Sequence, residues 1–274
     1  MNIIQSIEGN RIIKEKIISG EPFIASKMGG TEQNIMMSHL HGGVYNDNNR
    51  NMASENAGIT PANDETLNFF SERYGKALTN TDMLGSMNMG SERTLIGRYT
   101  PECIFSELRY LEPFYFTEPW SEMLGNKRVL VIHPFEDTIR KQYNKRELLF
   151  NNEKILPNFE LLTIKAEQTN GGGMVDSKPF IESLEIMEKK IDNLDFDIAI
   201  IGCGAYGLLL ADYIKNKNKQ AVHIGGGLQI LFGIKGKRWD VHPEISALYN
   251  EHWVRPMDNE KTINFHTVEG GTYW

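Results

Sequence analysis

Apolar residues fall in short blocks along the chain, and five blocks have the length and flanks of buried strands: residues 23–28, 128–133, 159–165, 197–202 and 220–224. Between them the apolar positions recur at three- and four-residue spacing. Over residues 177–194, Phe180, Leu184, Met187, Ile191 and Leu194 share one helical face, while Glu182, Glu185, Glu188, Lys189 and Lys190 fill the other. Asp176 or Ser177 can cap that helix, with Pro179 in its first turn. Residues 205–216 predict a second helix, and residues 64–78 a third that buries Leu67, Phe70, Tyr74 and Ala77. Strand and helix alternate, and right-handed crossovers then lay helices over both faces of a mostly parallel sheet. The expected fold class is α/β, Rossmann-like. One domain over residues 1–274 is expected, and if it divides into two lobes, residues 144–158 are the hinge. Residues 42–63 are polar and aperiodic, which predicts a long loop or lid.

Composition narrows the function classes. The chain carries 29 Lys and Arg against 36 Asp and Glu, a net charge of −7. That balance excludes a duplex nucleic-acid binder built on a broad basic face. Cys103 and Cys203 are too few for a disulfide framework and show no paired zinc spacing, so a reducing, cytoplasmic setting with buried thiols is expected. No run approaches the roughly 18 apolar residues of a membrane span. Residues 1–20 lack the apolar block of a secretory signal. Any membrane association is therefore expected to be peripheral.

In an open α/β sheet, ligands bind beyond the carboxyl ends of the strands, and here those ends are rich in glycine. The first strand runs into Lys27-Met28-Gly29-Gly30-Thr31-Glu32, where Thr31 can cap a helix starting near Glu32. A helix start of this kind attracts phosphate through unpaired N–H groups and partial positive charge. Glu32 would repel a diphosphate unless a metal bridges them or the carboxylate faces an acceptor as a base; it can also simply complement the helix dipole. The fourth strand opens into Gly202-Cys203-Gly204-Ala205-Tyr206-Gly207, a GxGxxG pattern between strand and helix. The next strand ends in His223-Ile224-Gly225-Gly226-Gly227, without the acidic residue that a nicotinamide dinucleotide site uses for its ribose. His133 closes the second strand. Gly171, Gly172 and Gly173 read as a flexible connection, and Lys235, Lys237 and Arg238 beside Trp239 as a phosphate site or a solvated loop.

Residues 23–32 resemble the N-terminal motif of the GT-D type glycosyltransferases, a strand ending in Arg-x-Gly-Asp-Gly-Glu. Residues 197–225 are similar to the second hallmark of that family: a strand, a small-residue turn, a helix, and a strand ending in an Ile-Gly pair. Tyr249-Asn250-Glu251-His252-Trp253-Val254-Arg255-Pro256 and residues 268–274 resemble the ends of polysaccharide-locus proteins of the same group. The resemblance implies a nucleoside-diphosphate sugar as donor, a glycan or glycolipid acceptor, and a divalent metal (Mn²⁺ or Mg²⁺) held by the Asp and Glu of the motif. Gly30 stands at that Asp position and Lys27 at that Arg, so Glu32 is the sole carboxylate left for catalysis or metal binding.

The expected function is transfer of a sugar from a nucleoside diphosphate to a glycan hydroxyl in surface polysaccharide or glycoconjugate synthesis. Glu32 is the catalytic candidate. Lys27, Gly29, Gly30, Thr31, His133, Gly202, Gly204, Tyr206, His223, Gly225 and Gly226 are the donor-binding candidates, with Arg98 as a further cation. Trp239, Trp253 and Trp274 are candidate sugar platforms or, equally, core tryptophans. Two alternatives stand beside this: a non-catalytic nucleotide-sugar or glycan binding module, and an NAD- or S-adenosylmethionine-dependent Rossmann enzyme built on residues 202–207.

Overall fold

The computed structural model describes residues 2–173 and 176–274. Eight strands, β1 (Ile3–Ile4), β2 (Ile24–Lys27), β3 (Met83–Ser86), β4 (Ile104–Glu107), β5 (Arg128–His133), β6 (Glu160–Lys165), β7 (Ile198–Ile201) and β8 (Gln220–His223), form one sheet in the order β1-β4-β3-β2-β8-β7-β5-β6. Every pairing is parallel. The helices are α1 (Ser6–Ser19), α2 (Gly30–Leu40), α3 (Asp47–Met52), α4 (Asp64–Thr79), α5 (Gly90–Tyr99) and α6 (Glu136–Tyr143) in the first part of the chain. They continue with α7 (Phe180–Asp192), α8 (Tyr206–Asn216), α9 (Gly227–Leu231), α10 (Lys237–Asp240) and α11 (Pro243–Ser246). This is the α/β, Rossmann-like architecture that the alternation of blocks predicts.

Strand periodicity divides the core into two layers. In β5, Leu130 and Ile132 pack on one face with the α4, α7 and α8 residues Phe70, Leu184 and Leu209. Val129 and Val131 pack on the other with Ile13, Trp120 and Phe232. Ile24 and Ala25 of β2 part in the same way. Because both faces are covered, the strands read as continuous apolar runs.

Several expectations need adjustment. Residues 42–63 are not one open loop: α3 lies within them, its first turn closed by a reciprocal Asn46–Asn49 capping box, and a π-helical turn, Ala53–Ala57, follows. Asparagines that read as loop residues are capping residues here. The 177–194 helix begins at Phe180 with Pro179 as its N-cap, and Ser177 instead donates its hydroxyl to the Gln168 carbonyl at 2.7 Å. The glycine triplet at 171–173 is no slack connector. All three residues have positive φ, and Gly171 and Gly173 accept backbone hydrogen bonds from Asn264 and Ile263. Residues 144–158 join the β5–α6 unit to β6, and β5 and β6 pair residue for residue from Arg128 and Glu160 to His133 and Lys165. The passage between the two halves of the sheet is residues 108–127.

Candidate functional site

Strands β7 and β5 are neighbours whose connections leave in opposite directions, β7 toward β8 and β5 toward β6. Their carboxyl ends therefore open a crevice. The crevice widens over β8, β2 and β3 into a cleft of about 440 Å³, a size suited to a small ligand. Lys27, Gly29, Gly30, Thr31, Glu32, His133, Gly202, Gly204, Tyr206, His223, Gly225 and Gly226 all line it. So a set chosen from strand ends in the sequence is gathered on one surface.

The glycines are there because the turns touch. A Cβ on Gly202 would fall 2.7 Å from the Gly225 carbonyl oxygen and 2.9 Å from His133 Cδ2. One on Gly225, whose φ is +70°, would fall 2.7 Å from Lys27 Cε. The neighbours at Gly202 include backbone, which cannot swing aside.

At the end of β2 the helix starts earlier than expected. Gly29, not Thr31, is the N-cap of α2, and Gln33 makes the first intrahelical bond, to the Gly29 carbonyl at 3.0 Å. The N–H groups of Gly30, Thr31 and Glu32 are left without helix partners. Glu32, third in the helix, folds back over Gly29, so that any Cβ there would meet its carboxylate. No other side chain among the described residues holds that carboxylate by a hydrogen bond or ion pair. Lys27 likewise has no ion pair within 4 Å among the described residues.

Both strand-end histidines are neutral. The Phe135 N–H donates to His133 Nδ1 at 3.0 Å, which leaves the ring proton on Nε2 as a donor. Burial holds the His133 pKa down at about 3. His223 is also held at about 3, by burial first and then by the Lys27 charge; its Nδ1 lies 2.9 Å from Ser26 Oγ, and its Nε2 presses on Gly207 in the first turn of α8. Burial also raises the Cys203 thiol, which makes it a poor nucleophile at neutral pH.

The far wall comes from residues that strand-end reasoning did not reach. Tyr273 and Trp274 line the cleft, as do Arg238 and Glu269, which are ion-paired. Lys237 and Arg238 donate backbone N–H groups to the carbonyls of Trp274 and Thr272, which fastens this segment to α10. Met52, Met87 and Met89 also line it.

Three candidates lie elsewhere. Trp239 and Trp253 are 5% and 4% exposed and belong to the core: Trp239 packs behind Gly226 and Gly236, and the Trp253 indole donates to the Leu149 carbonyl. Trp274 is the tryptophan that reaches the cleft. Arg98 is in the last turn of α5, exposed and away from the strand ends. The residues do not fit a protein-held cation either. Among the described residues no three His, Cys, Asp or Glu side chains come together as a ligand set, and Lys27 shares the lining with Glu32.

No protein-family model and no curated protein matches the chain. Two solved structures are similar to it. One is described as a selenomethionine-substituted domain of unknown function 1792 (DUF1792), at 13% identity; the other as showing that this highly conserved domain has a distinct glycosyltransferase fold, at 14% identity. Each match covers 98% of this chain and 90% of the other, with a TM-score of 0.50. The chain therefore has the fold of that glycosyltransferase-type domain.

Proposed function

We propose that the protein is a glycosyltransferase that moves a sugar from a nucleoside diphosphate to a hydroxyl of a glycan or glycolipid in surface polysaccharide or glycoconjugate synthesis. The observation that carries this reading is the meeting of the 29–30, 202–204 and 225–226 turns on one cleft, where Lys27 without an ion pair lies near Gly225 and an unpartnered Glu32 lies over Gly29. Neutral imidazoles, turn amides and one lysine suit a leaving diphosphate. A carboxylate free of partners suits a proton acceptor.

Glu32 already occupies the start of α2, and its charge would repel phosphate there. The diphosphate is therefore assigned away from that helix start, to Lys27, the Gly225–Gly226 turn, the α8 start and His133 Nε2–H. In transfer, the acceptor oxygen bonds to the anomeric carbon and gives its proton to Glu32. The bond from that carbon to the phosphate oxygen breaks, and the electron pair leaves with the diphosphate, whose charge Lys27 and the N–H donors meet. No step calls on a protein-held metal.

The test is incubation with UDP- and GDP-sugars, with CMP-sugars as the single-phosphate control, in Mn²⁺ or in EDTA. Donor hydrolysis or transfer that survives EDTA supports the reading; turnover seen only with Mn²⁺ would overturn the metal-free assignment. The absence of a carboxylate at Gly30 favours a second reading, a module that binds nucleotide-sugars without turnover. A thermal shift with no hydrolysis would point to that module, and a shift with NAD(H) or S-adenosylmethionine alone would remove both.

A further inference from the structure

Behind the cleft, outside its lining, a second carboxyl group meets the turn that carries Gly225. Glu112 follows a 3₁₀ segment, Leu108–Leu111, that packs against β2, where the Tyr110 hydroxyl donates to the Ser26 carbonyl at 3.0 Å. A Cβ on Gly227 would fall 3.0 Å from Glu112 Oε1, just as one on Gly225 would fall 2.7 Å from Lys27 Cε and 3.5 Å from Lys27 Nζ. The two side chains thus clasp one three-residue turn from its two ends. We propose that Glu112 is a positioning residue that acts through Lys27, setting how much of the lysine's charge reaches a diphosphate in the cleft. This rests on the donor assignment above.

The charged and titratable groups around Glu112 are few. Lys27 comes from β2, Arg109 from the 3₁₀ segment, and Tyr115 from the turn that follows; Glu244 of α11 takes up Arg109 in an ion pair. His223, which also feels the Lys27 charge, stays neutral. Burial raises the Glu112 carboxyl to about 7 against the opposing pull of Lys27 and Arg109. The direction of the effect follows. Below neutrality Glu112 is uncharged and Lys27 faces the cleft with its full charge. Above it the carboxylate offsets that charge, and diphosphate binding weakens. Linkage makes the converse hold: a bound diphosphate raises the Glu112 pKa.

The test is a ¹³C titration of glutamate carboxyl groups in the full chain, with the Glu112 signal assigned by its loss in Glu112→Gln. A midpoint near neutrality that moves upward in Lys27→Met is the expected result; a midpoint indifferent to Lys27→Met overturns the proposal. A second arm measures UDP affinity at pH 6 and pH 8.5. The ratio of wild type to Glu112→Gln should fall about threefold between them, the size of one unit charge acting across several ångströms of partly wet protein. The ionisation of UDP itself cancels in that ratio. A pH-independent ratio, or the same fall in the Lys27→Met background, also overturns the proposal. If UDP binds none of the proteins, the donor assignment fails by itself, and the carboxyl titration still decides whether Glu112 and Lys27 are coupled.

Discussion

Neighbouring strands β2 and β3 end in nearly the same words, Gly30-Thr31-Glu32 and Gly90-Ser91-Glu92, and each glutamate is the third residue of the helix that follows. Their fates differ. Glu92 is 2% exposed and fully engaged, accepting from the Ser86 hydroxyl and the Met87 N–H, both at 2.7 Å. It staples its own turn. Glu32 faces the cleft with only the bare Cα of Gly29 beneath it. The difference lies in what precedes the helix. Ser86 and Met87 supply donors to Glu92, whereas the corresponding turn after β2 is Met28 and Gly29, with no hydroxyl to offer. The same triplet is structural where the turn supplies partners and chemically available where it does not. Ser91 and Gln33 tie the two turns together by a hydrogen bond, so the stapled turn also braces the open one.

Exchanging the two glutamates for glutamine is the sharpest way to break this comparison. Glu32→Gln should lower transfer by roughly 10²- to 10⁴-fold, the range of a lost general base, with the melting temperature unchanged; activity within a few fold of wild type would remove Glu32 from the mechanism. Gly29→Ala comes next. Its φ of −75° accepts alanine, so the new methyl displaces the Glu32 carboxylate without straining the backbone. A loss of about 10²-fold in kcat with stability retained is expected for such a misplacement. Glu92→Gln should do the reverse, costing about 1–3 kcal/mol in denaturant unfolding while the folded fraction keeps most of its turnover.

A further effect is one of pH. His133 and His223 are held near 3 in the folded protein against about 6.5 when unfolded. The unfolded chain then binds more protons in that window, so their contribution to stability is complete above about 6.5 and is lost as pH falls toward 3. Thermal melts between pH 7 and pH 4 should show this slope, and His133→Gln should flatten it. An unchanged slope would mean that His133 is not held neutral by burial.

The strands at the centre of the sheet were legible because both faces are buried, which makes Val129–Val131 or Ile198–Ile201 an unbroken apolar run. Strands β3 and β4 were not. Met83-Leu84-Gly85-Ser86 and Ile104-Phe105-Ser106-Glu107 are only four residues each and end in polar groups, and β1 is only two residues long. Much of the candidate site was legible as well, since small residues directly after buried strands mark where backbone must approach backbone. Trp274 and Arg238 stood out by residue type, as an aromatic face and part of a basic cluster, whereas Tyr273 and Glu269 carry no local mark; all four reach the cleft because residues 171–173 and α10 hold the segment there. Arg98 failed for the same reason, because spacing within a helix does not say which end of the sheet it faces.

The order of the strands has a consequence for how the molecule is assembled. All of β1 to β4 lies on one side of the sheet and all of β5 to β8 on the other, and the two leaves pair strand to strand where β2 meets β8, at Ile24–Ala221 and Ala25–Val222. Lys27 and Gly225 sit at the top of that seam, each from a different leaf. An anion lodged between them is a rivet as much as a reactant: it can be gripped only after both leaves have joined, and its presence raises the work needed to part them.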